Sequence, residues 1–223
     1  MLKFIMAVLN MDKIRVGQIQ YLAVMVMVIF LSFILFPGRR RVEPTSIFLT
    51  LVHLGTFAAQ YGAQLWVTLV AGITMFCSLP RRMFGQVQKR LFPMFFFWCL
   101  LTSAIVMATH ILRHPVDTWS YSQYVEIYAL SAGFVSAAVN SIILSPLIVS
   151  AMLKTFQMEV EAGVGDIVGY ANVPELKKNA EYVNSYRTFR RCHGASACLT
   201  VVSLAANTVH LYYLACQLVP GLI

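Results

Sequence analysis

Long apolar blocks separated by short basic or polar stretches make up nearly all of this chain. The longest, residues 47–79, holds no Asp, Glu, Lys or Arg. About 20 helical residues cross a hydrocarbon layer of about 30 Å, so this block spans a membrane with length to spare. Within it His53, Gln60, Gln64 and Thr68 recur at helical spacing, with Trp66 beside them. At ~100° per residue the four polar positions fall within ~80° of one another. One face of this membrane helix is therefore polar, and other helices must cover it.

Four further blocks complete the pattern. Residues 19–36 are uncharged, nearly free of polarity, and end at Pro37, Gly38 and Arg39 to Arg41, which predicts a peripheral, lipid-facing first span. The domain reading is thus an N-terminal segment with the first transmembrane helix, 1–45, followed by a four-helix membrane core, 46–223. In that core Gly55, Gly62 and Gly72 are expected to let neighbouring backbones approach closely. A connector, residues 81–93, alternates Arg81, Arg82, Lys89 and Arg90 with apolar side chains. It predicts a short amphipathic piece in the interface, its cations facing lipid headgroups and fixing topology.

The third span covers 92–112, with Cys99, Ser103, Met107 and His110 on one stripe. The fourth covers 127–153, with Glu126 at its mouth, a small and polar face of Gly133, Ser136, Ala137 and Asn140, and a kink expected at Pro146. Residues 154–191 form the one sizeable polar segment, expected to be cytosolic. Gly163, Gly165 and Gly169 should make it flexible, and Pro174 should start a charged helix that feeds the last span. From residue 192 on nothing is charged, and His193, Ser196, Thr200, Ser203, Asn207 and His210 repeat at three or four. The expected fold is all-α, a multi-pass membrane helical bundle with a four-helix core plus one N-terminal transmembrane helix.

Composition strengthens that picture. The 223 residues are 59% hydrophobic and 12% charged, outside the range of soluble domains. The net charge of +8 sits at the ends of the apolar blocks, which points to bilayer topology and anionic headgroups and away from nucleic acid. With the N-terminus in the cytosol, 13 of the 17 Lys and Arg fall on the cytosolic side, so that orientation is expected. The five cysteines form no CxxC pair and lie in or beside apolar blocks, which argues against a disulfide framework.

Residues 61–93, YGAQLWVTLVAGITMFCSLPRRMFGQVQKRLFP, and 186–199, YRTFRRCHGASACL, are more specific than a generic apolar pattern. From about residue 46 onward the chain resembles the transmembrane protein 205 family. The resemblance implies a four-helix core in secretory-pathway membranes; the expected location is the endoplasmic reticulum and secretory pathway or the plasma membrane. It supplies no catalytic residues.

Candidate chemistry is sparse. His53, Gln60, Gln64, Trp66, Thr68, Asn140, His193 and Asn207 read as a polar seam, either packing glue between helices or the lining of a path for a small solute. No core span carries an Asp, Glu, Lys or Arg in its interior by this reading, which argues against an ion-coupled pump. Hydrolase, P-loop and metalloprotease motifs are absent, and no enzymatic activity, resident metal or cofactor is assigned. One alternative gathers His53, His110 and His210 near the exterior leaflet, where with Cys216 they could hold a soft metal or haem. The expected function is transport or trafficking of a small solute; the alternatives are a structural or interaction subunit and a metal- or haem-binding protein. Expected partners are the bilayer, anionic headgroups, and a second copy or another membrane protein.

Overall fold

A computed structural model describes residues 46–219. The predicted span at 19–36 lies outside the described residues. Four helical rods, each long and apolar enough to cross a membrane, account for most of the rest. The first rod joins α1 (Ile47–Leu65) through a π-turn (Trp66–Ala71) to α2 (Gly72–Ser78). The second is α3 (Arg81–Arg113), and the third joins α4 (Tyr121–Ala138) through a π-turn (Val139–Leu144) to α5 (Ser145–Glu161). The fourth is α6 (Ala180–Cys216). Neighbouring rods run antiparallel, so the bundle has a histidine end (His53, His110, His210) and a basic end (Arg81, Lys89, Arg190).

Helix α3 is the hub, packing against α1, α4 and α5, while α6 packs on α4 and α5 and meets α1 only sparsely. Phe95, Phe96, Cys99, Leu100 and Ala104 of α3 form the main core with Ala137 of α4. A second cluster, Phe57, Val106 and Leu130, lies nearer the histidine end. On α4 the expected small face is inward: Gly133, Ser136, Ala137 and Asn140 are buried.

Several expectations change. The connector at 81–93 is not a separate interfacial piece but the first third of α3, with Pro93 inside an unbroken helix. At 33 residues and 1.5 Å per residue, α3 is about 50 Å long, so its basic start projects beyond the apolar layer while remaining helical. Pro146 lies at the first turn of α5, directly after the π-turn, whose wider loop accommodates the missing N–H without ending the rod. Pro174 opens only a turn. α6 begins six residues later, where Asn179 caps it by accepting from the Glu181 and Tyr182 N–H groups. Gly55 and Gly62 face open space; the close approach occurs at Gly85, where a Cβ would overlap the Phe156 ring.

Candidate functional site

The inward face of α1 is Leu49, His53, Phe57, Gln60 and Gln64, a stripe at steps of three and four in which three members are polar. Helices α3 and α6 present His110 and His210 to the same point, and all three imidazoles are at most 1% exposed. One ring nitrogen from each lies within 4.8 Å of the other two. His53 Nε2 is 3.0 Å from His210 Nε2, and His53 Nδ1 is 2.7 Å from the Thr109 hydroxyl. Glu126 of α4 completes the group, its carboxylate 2.6 Å from His210 Nδ1 and 3.9 Å from His110 Nδ1.

The hydrogen-bond directions are largely determined. Thr109 donates its hydroxyl proton to its own helix, at the Ile105 carbonyl (2.7 Å), so it accepts from His53 Nδ1–H. His53 Nε2 is then the bare nitrogen and His210 Nε2–H points at it. That leaves His210 Nδ1 facing Glu126, and one more proton must sit on this 2.6 Å contact. Outer partners thus hold His53 and His210 by one nitrogen and turn the other nitrogens toward each other. His110 Nε2 has no hydrogen-bond partner.

Imidazoles braced by a hydroxyl and a carboxylate are the usual outer arrangement of a histidine metal centre. Zinc–nitrogen bonds of ~2.0–2.1 Å imply an N···N edge of about 3.3 Å in a tetrahedral site, close to the 3.0 Å between His53 and His210. The donor set suits zinc, copper, nickel or iron(II). Haem fits poorly, because ring centroids 5.0 to 6.3 Å apart leave no room for a macrocycle between the imidazoles. Cys216, six residues past His210 and about 120° around α6, lies outside the group.

A short connection closes the histidine end. Ser120 and Gln123 form a capping box at the start of α4, Gln123 Oε1 accepting from the Ser120 N–H at 2.7 Å. The same amide donates to His114 Nδ1 at 2.9 Å, and Trp119 Nε1 donates to the His114 carbonyl. Burial, with the Arg113 charge adjacent, holds His114 below its ordinary pKa, consistent with the neutral acceptor this geometry requires. Its ring lies 4.8 Å from that of His110, at the mouth of the triad.

Thr109 and His114 are absent from the residues singled out in the sequence, and Glu126 is expected there only at the mouth of the fourth span. Glu126 overturns the expectation that no core span buries an acid: it lies 2% exposed, inside the bundle. The signal was the Ser120-x-x-Gln123 box, which starts α4 at Tyr121 and places Glu126 more than a turn inside.

The polar seam survives in part. Gln64 donates to Ser203 at 2.9 Å and accepts from Asn207 at 2.7 Å, while Asn140 donates to the Ser196 carbonyl and to Thr200 at 3.3 Å each. The adjoining cavity is about 10 Å³, room for one water, so the seam is closed to a solute in this conformation. Gln60 is 1% exposed, and neither polar atom of its amide has a partner. Trp66 leaves the seam: two residues beyond Gln64 is about 200° around a helix, and the indole is 62% exposed on the opposite face. Thr68 is half-buried, and His193 sits on an exposed face between Phe92 and Phe189.

At the basic end the four cations differ. Arg81 is no headgroup ligand, since it is bound to Glu159 through two bonds of 2.6 and 2.7 Å and donates to the Gly169 carbonyl. Tyr182 donates to the same carboxylate at 2.9 Å. The first amides of α3 are taken as well, Arg81 N–H by the Ile167 carbonyl and Arg82 N–H by that of Gly165. The glycine segment is therefore pinned to α3, with Gly163 and Gly169 supplying left-handed turns (φ 79° and 73°). Arg82 pairs loosely with Asp166 at 3.4 Å, whereas Lys89 and Arg90 are exposed.

Residues 55–157, which include His110 and Glu126, match the family described as "Domain of unknown function (DUF4149)". Transmembrane protein 205 of Danio rerio is 28% identical over 181 residues, covering 79% of this chain and 96% of that protein. No solved structure matches the chain. Motif, helical architecture and relative agree: the chain is an integral, multi-pass membrane protein similar to transmembrane protein 205.

Proposed function

We propose that this protein binds a divalent transition-metal ion through His53, His110 and His210 and handles that ion at the membrane without enzymatic turnover. The single observation behind this reading is the convergence of three buried ring nitrogens within 4.8 Å, two of them braced from behind by Thr109 and Glu126. Three neutral imidazoles with one carboxylate alongside would leave a bound dication with a net charge of about +1, which makes its burial among membrane helices less costly. The ion is then the small solute. The charge distribution favours a cytosolic N-terminus, and so a triad near the exterior leaflet of a secretory-pathway or plasma membrane.

The test is metal content and cobalt(II) titration of the detergent-purified chain. About one ion per chain is expected, with the visible bands of tetrahedral or five-coordinate cobalt, and both should vanish in the His53→Ala/His210→Ala double variant. A wild-type protein that binds none of zinc, copper, nickel or cobalt, or a double variant that binds as before, overturns the reading. The hydrogen-bonded seam favours a second reading, a structural subunit whose working surface is the 154–191 segment. The first of those outcomes would select it.

A further inference from the structure

Between the rods at the basic half of the bundle lies a cavity of about 370 Å³ that plays no part in the histidine site. It exists because the first rod departs from its neighbours: neither the π-turn Trp66–Ala71 nor α2 has a buried residue, while α1 has five. The walls are mainly apolar, with Phe76 of α2, Phe92 of α3 and Ala197 of α6 facing one another. Thr68, His193, Ser196 and Thr200 add polar groups, and so does Gln88, 3% exposed, whose side chain lines the cavity and whose Oε1 has no hydrogen-bond partner. A buried, unpaired amide oxygen in an apolar chamber is costly unless a ligand supplies the missing donor.

Charge identifies the ligand. Less than one turn from His193, which lines the cavity, α6 presents Arg190 and Arg191; with Arg187 they line a second hollow of about 450 Å³ on the same helix. Lys89 follows Gln88 directly on α3. Among the described residues none of these four cations meets a carboxylate, whereas Arg81, Arg82, Lys154 and Lys178 all do. The volume falls within the ~300–1,000 Å³ of small-ligand sites. We infer that this cavity binds an anionic glycerophospholipid from the leaflet at the basic end, one acyl chain lying among Phe76, Phe92 and Ala197, a headgroup hydroxyl or ammonium donating to Gln88, and the phosphate resting on Arg190 and Arg191.

Two measurements test this on the full chain. In native mass spectrometry from detergent, added phosphatidylserine should be retained about tenfold better than phosphatidylcholine, and that preference should disappear in Arg190→Gln/Arg191→Gln. Ala197→Phe, which fills the cavity, should reduce retention of both lipids. A photo-cross-linking residue at Ile73, irradiated in the membrane, should carry a phospholipid mass. Equal retention of the two lipids overturns the inference. So does cross-linking of Ile73 to residues 1–45 or to a second copy, which would make the occupant a protein segment. The histidine variants leave this site intact, so its failure and that of the metal reading are distinguishable.

Discussion

Gln60 and Gln64 lie one turn apart on the same stripe of α1, both 1% exposed, yet their situations are opposite. Gln64 bridges Ser203 and Asn207, whereas the Gln60 amide pairs with nothing. Interhelical hydrogen bonds in membranes average about 0.6 kcal/mol, while an unmet buried amide costs about 1–3 kcal/mol. Gln64→Met should therefore lower the midpoint of thermal unfolding in detergent and Gln60→Met should raise it. If Gln60→Met instead leaves stability unchanged and abolishes a bound species, Gln60 is a ligand and not a packing defect. Both residues were visible in the sequence as members of one face. Which of them has a partner was not, because partner choice depends on the axial offset between helices 139 and 143 positions apart in the chain.

At the scale of elements, the π-turns mark where the rods change task. The turn at Trp66–Ala71 separates a half whose inward face is buried from a half that is not. A π-turn commonly accommodates one extra residue in a helix, so removing one there should restore regular winding without rotating either half. Deletion of Leu69, 58% exposed, is expected to preserve folding and metal binding. Deletion of Leu54 should abolish both, since it turns His53 by about 100° relative to Phe57 and the rest of the stripe. Size-exclusion profiles and metal content of the two deletions check this; identical behaviour would contradict it. The sequence displayed the stripes because a period near 3.6 is a local property. It concealed the length of α3 and the inward position of Glu126, because apolar runs end where the bilayer ends while these helices continue.

For the molecule as a whole, the two ends of the first rod are held differently. His53 ties it to α3 and α6 at one end, and Gln64 ties it to α6 near the middle, but beyond Leu65 no side chain is buried. The remaining rods are clamped at the basic end by Arg81, Glu159 and Tyr182. Mechanically, the first rod is a beam held at the triad and, through Leu79 and Pro80, at the clamped Arg81, with the π-turn as its flexure and its unburied half forming one wall of the lipid cavity. His53 and Phe76 are 23 residues apart, about 35 Å along the axis, so a tilt at the triad bends the rod at the flexure and shifts the cavity wall between the two fixed ends. A metal ion drawing His53 toward His110 and His210 should then narrow the distribution of distances between spin labels at Ile73 and Ala197, and chelation should broaden it. An unchanged distribution would mean that the flexure absorbs the tilt. By reciprocity, a lipid that favours one position of that wall would also shift metal affinity by the same factor, so membrane composition at one face would be sensed as ion occupancy at the other.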